Sequence, residues 1–599
     1  MLDILNEVQT NYITSLLAKK IDPQVIKNKY IQEIISKSKS NNLFDPDILD
    51  ITSILRHNFS INDAKSDGIT FTPIPIVKYM YKDVLSLPLE YVKNYKIADL
   101  SVGNGAFFVG LILLLKEKYP EMSIVDFIEN NLYGYDVKKE NIYFTKLNLF
   151  LLSLYFGENP QNIKFNLFNV DTLKHFINNQ SNIVKFDLIV GNPPYVKQQN
   201  IPSSYRDFLI YNFETIKSNY NLYYAFIELS ISLLNENGIS LQLVPNYLLK
   251  IKSAQNLRSY LLENNNIQRI VNFNANKIFD GVGTYSMAVE LSHQKNKILY
   301  KSLPNDTESL MYLENSDWKV LSPKNITQDS INLMDNKEER LVNQVQSQLY
   351  TLDISTGIAT QKDKLYLVDK TDLIDNKYMV KIFNNNEYLI EKESVVKIFK
   401  GSGQRKGNLN YSYIIYPYTI QKNKAILKSI DYISKNEPNT YNYLLDAKEE
   451  LCKRSGINST DSNWYKYGRS QSLNRFQKKI LFPTNSLEPN FNLVNDRALF
   501  FNGYAIYGLK EESLPNDGLK ALEIILNSQL TKIFMLCTSY FISSGYVSYQ
   551  KKYIEKFTIP FLKRDDIFRI IELEKSNNIE LLNEYIFSLY NLDYYDFCQ

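Results

Sequence analysis

Four residues, Asn192-Pro193-Pro194-Tyr195, directly follow the apolar run 186–191, which reads as a buried strand. They suit alkylation of an amine whose lone pair is delocalised into a planar ring. Such a nitrogen is a poor nucleophile until it becomes pyramidal. The Asn192 side-chain oxygen and the Pro193 carbonyl can each accept one of its N–H groups. Two acceptors out of the ring plane turn the lone pair towards an incoming methyl group. Proline fixes φ and holds that carbonyl in place, and Tyr195 gives the ring a face to stack on. Asn-Pro is also an ordinary turn dipeptide, so the box alone says little more than that a strand ends. What lies upstream decides.

Residues 95–101 read as a strand, Val102-Gly103-Asn104-Gly105-Ala106-Phe107 as a glycine-rich turn, and the apolar run 108–115 as a helix. Glycines at the carboxyl edge of a sheet let the backbone approach a ligand. A third glycine for a dinucleotide and a Lys-Ser/Thr for a phosphate loop are both missing, which suits a cofactor without pyrophosphate. The next strand, 132–136, ends in Asp136, the position that commonly binds ribose hydroxyls. A third, 163–169, ends near Asp171, placed to accept from an adenine amino group. Singly each acid reads as a solvated loop residue. The ordered set Gly103/Gly105, Asp136, Asp171, Asn192 reads as one cofactor and reaction site.

Over residues 61–295 the chain resembles the gamma-class DNA adenine-N6 methyltransferases, the TaqI-like group. Asp99-Leu100-Ser101-Val102-Gly103-Asn104-Gly105-Ala106-Phe107 is similar to the family's Asp-Pro-Ala-Cys-Gly-Ser-Gly-x-Phe, with the Pro and Cys replaced. Gly68-Ile69-Thr70-Phe71-Thr72-Pro73 looks like the motif that closes over the methionine part of S-adenosylmethionine. Asn221-Leu222-Tyr223-Tyr224-Ala225-Phe226, Asn237-Gly238 and Val244-Pro245-Asn246 match later motifs, and Phe279 stands where the family has a second base-stacking aromatic. Cofactor motifs precede the box, and the large extra segment is C-terminal, which is the gamma order.

The resemblance implies an α/β fold: a Rossmann-like S-adenosylmethionine-dependent methyltransferase domain, then a mixed α+β target-recognition domain, with a short helical N-terminal extension. The expected boundaries are 1–60 for the extension, 61–295 for the catalytic domain, 296–345 for a polar linker or peripheral arm and 346–599 for the specificity domain. Residues 267–273 and 286–291 are expected to pair as an antiparallel hairpin at one sheet edge. The implied catalytic set is Asn192, Pro193, Pro194, Tyr195 and Phe279. The implied cofactor set is Thr72, Asp99, Ser101, Gly103, Gly105, Asp136, Asp171 and Asn192, with Thr72, Ser101 and Asp99 at the methionine end.

Net charge is only +3 over 599 residues, so no global nucleic-acid signal exists. Locally, residues 451–480 carry Lys453, Arg454, Lys466, Arg469, Arg475, Lys478 and Lys479 interleaved with Trp464, Tyr465, Tyr467 and Phe476. That mixture suits a DNA-facing surface as well as it suits a solvated basic loop. Lys400, Arg405, Lys453, Arg454, Arg469, Tyr546 and Lys551 are the candidate DNA contacts. The loop 543–551 lies where the family fills the gap left by a flipped base. Three cysteines and three histidines lie scattered, without metal-ligand spacing, and no apolar run reaches membrane-spanning length. The expectation is a bacterial, cytoplasmic, metal-free monomer acting on double-stranded DNA, with a companion restriction endonuclease as a possible partner, because no nuclease cluster is read in the chain. The other enzymes sharing an Asn-Pro-Pro-Tyr box, RNA adenine and protein glutamine N-methyltransferases, are the alternative.

Overall fold

Residues 132–136, 186–191 and 286–292 are short apolar or alternating runs between polar turns, and each becomes a strand. The computed structural model describes residues 72–160, 162–179, 184–274, 276, 285–294, 296–304, 310–404, 409–457, 462–515, 517–542 and 545–597. The expected helical extension, most of the Thr-Pro motif, Phe279 and Arg405 lie outside the described residues. The chain divides into two units, the first running to Asp335 and taking in Phe541–Gly545, the second holding Asn336–Tyr540 and Tyr546–Gln599.

The first unit is built on nine strands: β1 (Ile97–Asp99), β2 (Leu132–Asp136), β3 (Asn166–Asn169), β4 (Phe186–Gly191), β5 (Leu234–Pro245), β6 (Ile267–Asn272), β7 (Ser286–Ser292), β8 (Leu299–Ser302) and β9 (Lys319–Val320), in spatial order 3-2-1-4-5-7-6-8-9. Strands β1 to β5 are parallel, and β7 runs antiparallel between β5 and β6. Successive residues of β4 feed opposite cores: Leu188 and Val190 join one apolar cluster and Ile189 the other. Both faces of the sheet are therefore covered, as a parallel sheet requires. The helices that matter for the site are α1 (Ile74–Tyr79), α2 (Ala106–Lys118), α3 (Lys139–Tyr155), α4 (Thr172–Asn178), α5 (Ser203–Asn212) and α6 (Tyr223–Ser232). Strand order reverses at β1, which lies between β2 and β4, so a crevice opens at the carboxyl ends of these strands.

Two expectations change. The β6–β7 pair forms antiparallel, but it is not an edge, because β8 adds in parallel beside β6 and β9 pairs with β8. Residues 296–335 are thus not a linker. Their polar composition misled because strand pairing is made by backbone, while apolar residues spaced along the segment, Tyr300, Leu303, Leu313, Leu321, Ile331 and Met334, are buried. Trp318 packs with the cations of Arg269 and Lys301, each 5.0 Å from a ring centroid. Helix Asn336–Gln346, also within the expected linker, belongs to the second unit.

The second unit is mixed α+β. It holds a four-stranded antiparallel sheet with Leu352–Thr356 at one edge, two three-stranded arrays at 370–391 and around Val395–Lys400, and the hairpin Tyr418–Gln421 with Lys424–Leu427. Helices Gly518–Leu526, Gln529–Thr538, Arg564–Lys575 and Ile579–Leu589 complete it. Two of its hairpins turn on pairs with positive φ, Asn384-Asn385 at 49° and 64° and Lys422-Asn423 at 45° and 62°. Such mirror-image turns match the strand twist. Among the described residues no helix is long and apolar enough to cross a membrane.

Candidate functional site

Each strand end supplies one part of the crevice. After β1 the chain passes through Gly103 (φ 55°) and Gly105 (φ 81°), and Gly105 caps α2. A side chain at Gly105 would be strained twice, by its φ and by a Cβ 2.9 Å from Thr145 Cγ2. Helix α3 clamps this turn from behind: Thr145 Oγ1 donates to the Gly103 carbonyl at 2.9 Å and Asn148 Nδ2 to the Asn104 carbonyl at 2.7 Å.

Asp136, at the end of β2, gathers three donors. Oδ2 accepts the Gly103 N–H at 3.0 Å and Asn141 Nδ2 at 3.0 Å, while Oδ1 accepts the Lys138 N–H at 2.8 Å. Burial raises its pKa, and those bonds oppose the rise by favouring the charged form. Asp171, after β3, caps α4 by accepting the Lys174 N–H at 3.2 Å. Thr172 Oγ1 beside it donates to the Leu100 carbonyl at 2.9 Å, which ties the third strand end to the first.

The box follows β4. Asn192 Nδ2 donates to Thr72 Oγ1 at 3.3 Å, so the other amide atom, Oδ1, is the side chain's acceptor. The Asn192 carbonyl in turn accepts from Ser101 Oγ at 3.3 Å. Tyr195 is anchored by its hydroxyl, which donates to the Leu243 carbonyl at 3.0 Å, and its ring meets Tyr223 edge-on at 5.8 Å. Burial holds that hydroxyl well above its ordinary pKa range.

A cleft of about 500 Å³ joins these parts, within the range of small-molecule sites. Ser101, Gly103, Asp136, Asp171, Asn192, Pro193 and Pro194 all line it. Tyr195, Asp99, Gly105 and Thr72 are not among the lining residues. Asp99 is 1% exposed, beneath Gly191 and Ser101, and is tied to the cleft through the Ser101 N–H that it accepts at 3.0 Å. Gly105 shapes the start of α2, and Thr72 acts on Asn192. The cleft also takes Lys138, Asn141, Tyr205, Leu222 and Phe226, to which the sequence reading gave no role. Leu222 and Phe226 stood in a motif read there, and the 3.6-residue repeat of α6 is the signal that would have put both on one face.

Burial lifts the Asp99 carboxyl to about 8, the Ser101 amide opposing and the Asp136 charge adding. The native state therefore holds a proton that the unfolded chain releases near the ordinary value of 3.8. Stability on this account is fullest below that value and is lost as pH rises towards about 8. Asp99→Asn should flatten the decline. Urea midpoints of both proteins at about pH 5 and about pH 8 check this, and parallel declines would count against it.

The candidate DNA contacts fare unevenly. Lys400, Arg469 and Tyr546 are exposed, Lys551 is half-buried, and Lys453 is exposed but paired with Glu450 and Glu449. Arg454 is a correction: it is 4% exposed, and its guanidinium is spent on four backbone carbonyl bonds inside the second unit. Trp464, Tyr465 and Tyr467 are likewise core, not a stacking surface, and Lys479 is buried with its ammonium on the Ala498 carbonyl. Arg475 pairs with Asp353.

Residues 130–279 match the Eco57I restriction-modification methylase family. The chain is 24% identical to the type II restriction enzyme and methyltransferase RM.Eco57I of Escherichia coli, over 83% of this chain and 57% of that protein. It is 21% identical to the type II methyltransferase M.BstVI of Geobacillus stearothermophilus, over 84% of this chain and 92% of that one. It thus spans little more than half of the first relative and nearly all of the second. Among solved structures, the type IIL restriction-modification enzyme MmeI in complex with DNA superposes with a TM-score of 0.59 at 12% identity, covering 98% of this chain and 87% of that one. At that identity the likeness speaks for the fold.

Proposed function

We propose that this chain, whose residues 130–279 match the Eco57I restriction-modification methylase family, is a site-specific DNA methyltransferase acting on the N6 amine of adenine. The observation that carries this reading is the convergence of four strand ends on one cleft, with Gly103, Asp136, Asp171 and the Asn192 box as its walls. The donor set fits S-adenosylmethionine: carboxylates for ribose hydroxyls and an adenine amino group, an apolar wall at Leu222 and Phe226, and no phosphate-binding loop. When bound, that cofactor supplies an electrophilic methyl group on a sulfonium.

The chain's own residues do the rest. Asp136 holds the glycine turn and keeps lone pairs for ribose hydroxyls. Asn192 Oδ1 and the Pro193 carbonyl accept the two N–H groups of the target amine and make its nitrogen pyramidal. Once alkylated, that nitrogen releases its proton to water, so no strong base is required. The catalytic power is positioning and preorganised acceptors. An adenine inside a duplex is out of reach, so it must be flipped from the stack. Tyr195, held by its hydroxyl anchor and by Tyr223, stacks on it, with Phe279 as its partner on the other face. The exposed cations Lys400, Lys453 and Arg469 then serve the DNA backbone, and residues 346–599 serve target recognition. Relatives named as restriction and modification enzymes favour DNA over the RNA or glutamine substrates that share such a box.

Tyr195→Ala should weaken capture of the flipped base by about 1–3 kcal/mol, the usual worth of base–aromatic stacking. Tyr195→Phe loses only the anchor and should cost less. Fluorescence of 2-aminopurine at the target position reads the flipped population, and equal signals from Tyr195→Ala and the parent would remove the sandwich.

The deciding experiment is modification-aware single-molecule sequencing of DNA from a methylation-free host expressing the chain, beside an Asn192→Ala control. N6-methyladenine at one defined motif, absent from the control, is the expected result. Unmodified DNA, from protein that binds S-adenosylmethionine, would move the reading to RNA or protein.

A further inference from the structure

The stretch that follows the box carries a second contact to the third strand end. Tyr205, on α5, lines the cleft beside Asp171. Its hydroxyl donates to Asp171 Oδ1 at 2.8 Å, and the same oxygen accepts the Lys174 N–H at 3.2 Å. Two donors converge on one carboxylate oxygen, and Oδ2 takes neither of these bonds. The Lys174 ammonium lies 5.0 Å from the Tyr205 ring centroid and 5.8 Å from that of Phe208. That contact holds the ring from a second direction. Burial and the neighbouring Asp171 charge keep the hydroxyl protonated far above its ordinary range, so it remains a donor.

We propose that Tyr205 is a positioning residue that sets the nucleobase preference of the cofactor cleft. It fixes the Asp171 carboxylate so that Oδ2 accepts the 6-amino group of the cofactor's adenine. The inference rests on the S-adenosylmethionine reading above. A carboxylate able to turn about its last side-chain bond could present either oxygen and adapt to what enters. One held at Oδ1 by an amide and a phenol presents a fixed acceptor. A fixed, half-buried acceptor in the cleft still discriminates, because a ring without an N–H at that point leaves it unpaired, and a ring with a carbonyl there meets it with a second acceptor.

The test is calorimetric titration of the full-length chain with S-adenosylhomocysteine and with its analogue bearing hydrogen in place of the 6-amino group. The parent should prefer S-adenosylhomocysteine by about tenfold or more, as for loss of one hydrogen bond to a charged acceptor. Tyr205→Phe, which removes one oxygen, should lose about that factor for S-adenosylhomocysteine and stay within about twofold for the analogue. In an Asp171→Ala background the Tyr205→Phe change should have no further effect, since the two act as one unit. A tyrosine that merely packs α5 would weaken both ligands alike, and that result would overturn the proposal. So would unchanged affinity of Tyr205→Phe for S-adenosylhomocysteine. Failure of the parent chain to bind S-adenosylhomocysteine would instead overturn the cofactor reading, and the inference with it.

Discussion

Asn192→Ala is expected to lower the single-turnover methylation rate by about a hundred- to a thousandfold, while cofactor and DNA affinities change by no more than a few fold. The Asn192 amide nitrogen donates to Thr72 over a long 3.3 Å, and its backbone carbonyl, which alanine retains, still accepts from Ser101. The substitution therefore leaves the local frame standing. What it removes is Oδ1, one of the two acceptors proposed to pyramidalise the target nitrogen. That interaction strengthens as the nitrogen gains positive character, so its loss falls on the rate and not on binding. Rapid-quench measurement at saturating cofactor and DNA separates the two. If affinity for S-adenosylhomocysteine falls as far as the rate does, Asn192 is chiefly a wall of the cofactor cleft. Thr72→Ala is a graded companion: the acceptor survives but its orientation is less fixed, and the rate should fall by a smaller factor.

The walls of the cleft were legible because they are local in sequence. A glycine turn, an acid at a strand end and the Asn-Pro-Pro-Tyr box each announce themselves within a few residues, and parallel strands bring their carboxyl ends to one edge without further instruction. Asp171 and Asn192 are 21 positions apart and line the same cleft for that reason alone. Tyr205 was not legible. Nothing at that position marks it, and its contact with Asp171 depends on α5 folding back against the start of α4. The hairpins of the second unit were missed for a chemical reason: their turns are Asn-Asn and Lys-Asn, without the glycine that usually signals positive φ, and asparagine tolerates that region through local hydrogen bonding. Strands β8 and β9 were missed because they join an existing sheet through backbone bonds, which a polar sequence supplies as well as an apolar one.

The stretch 451–480 shows where composition misleads, and it yields the second large effect. Alternating basic and aromatic residues look the same whether they face a phosphate or a core. Arg454 faces the core. Nε donates to the Leu451 carbonyl at 2.7 Å, Nη1 to Thr360 at 3.2 Å and Lys466 at 2.7 Å, and Nη2 to Trp464 at 2.6 Å. Its guanidinium lies 5.6 Å from the Tyr366 ring centroid. One side chain thus pins three separate stretches of chain. Arg454→Ala should destabilise the full-length protein by about 3–5 kcal/mol, since it strands buried carbonyls and opens a cavity. Arg454→Lys should recover only part of this, because an ammonium is a compact point donor and cannot reproduce the planar fork. Arg469, exposed, makes the contrast. Arg469→Ala should leave the urea midpoint unchanged and reduce the slope of log K for DNA against log salt by about one, the signature of a lost phosphate contact. Measuring both quantities on both variants assigns each arginine. Should Arg454→Ala keep the parent's midpoint and lose a unit of salt slope, Arg454 reaches DNA after all, and the buried geometry is not the one that binds.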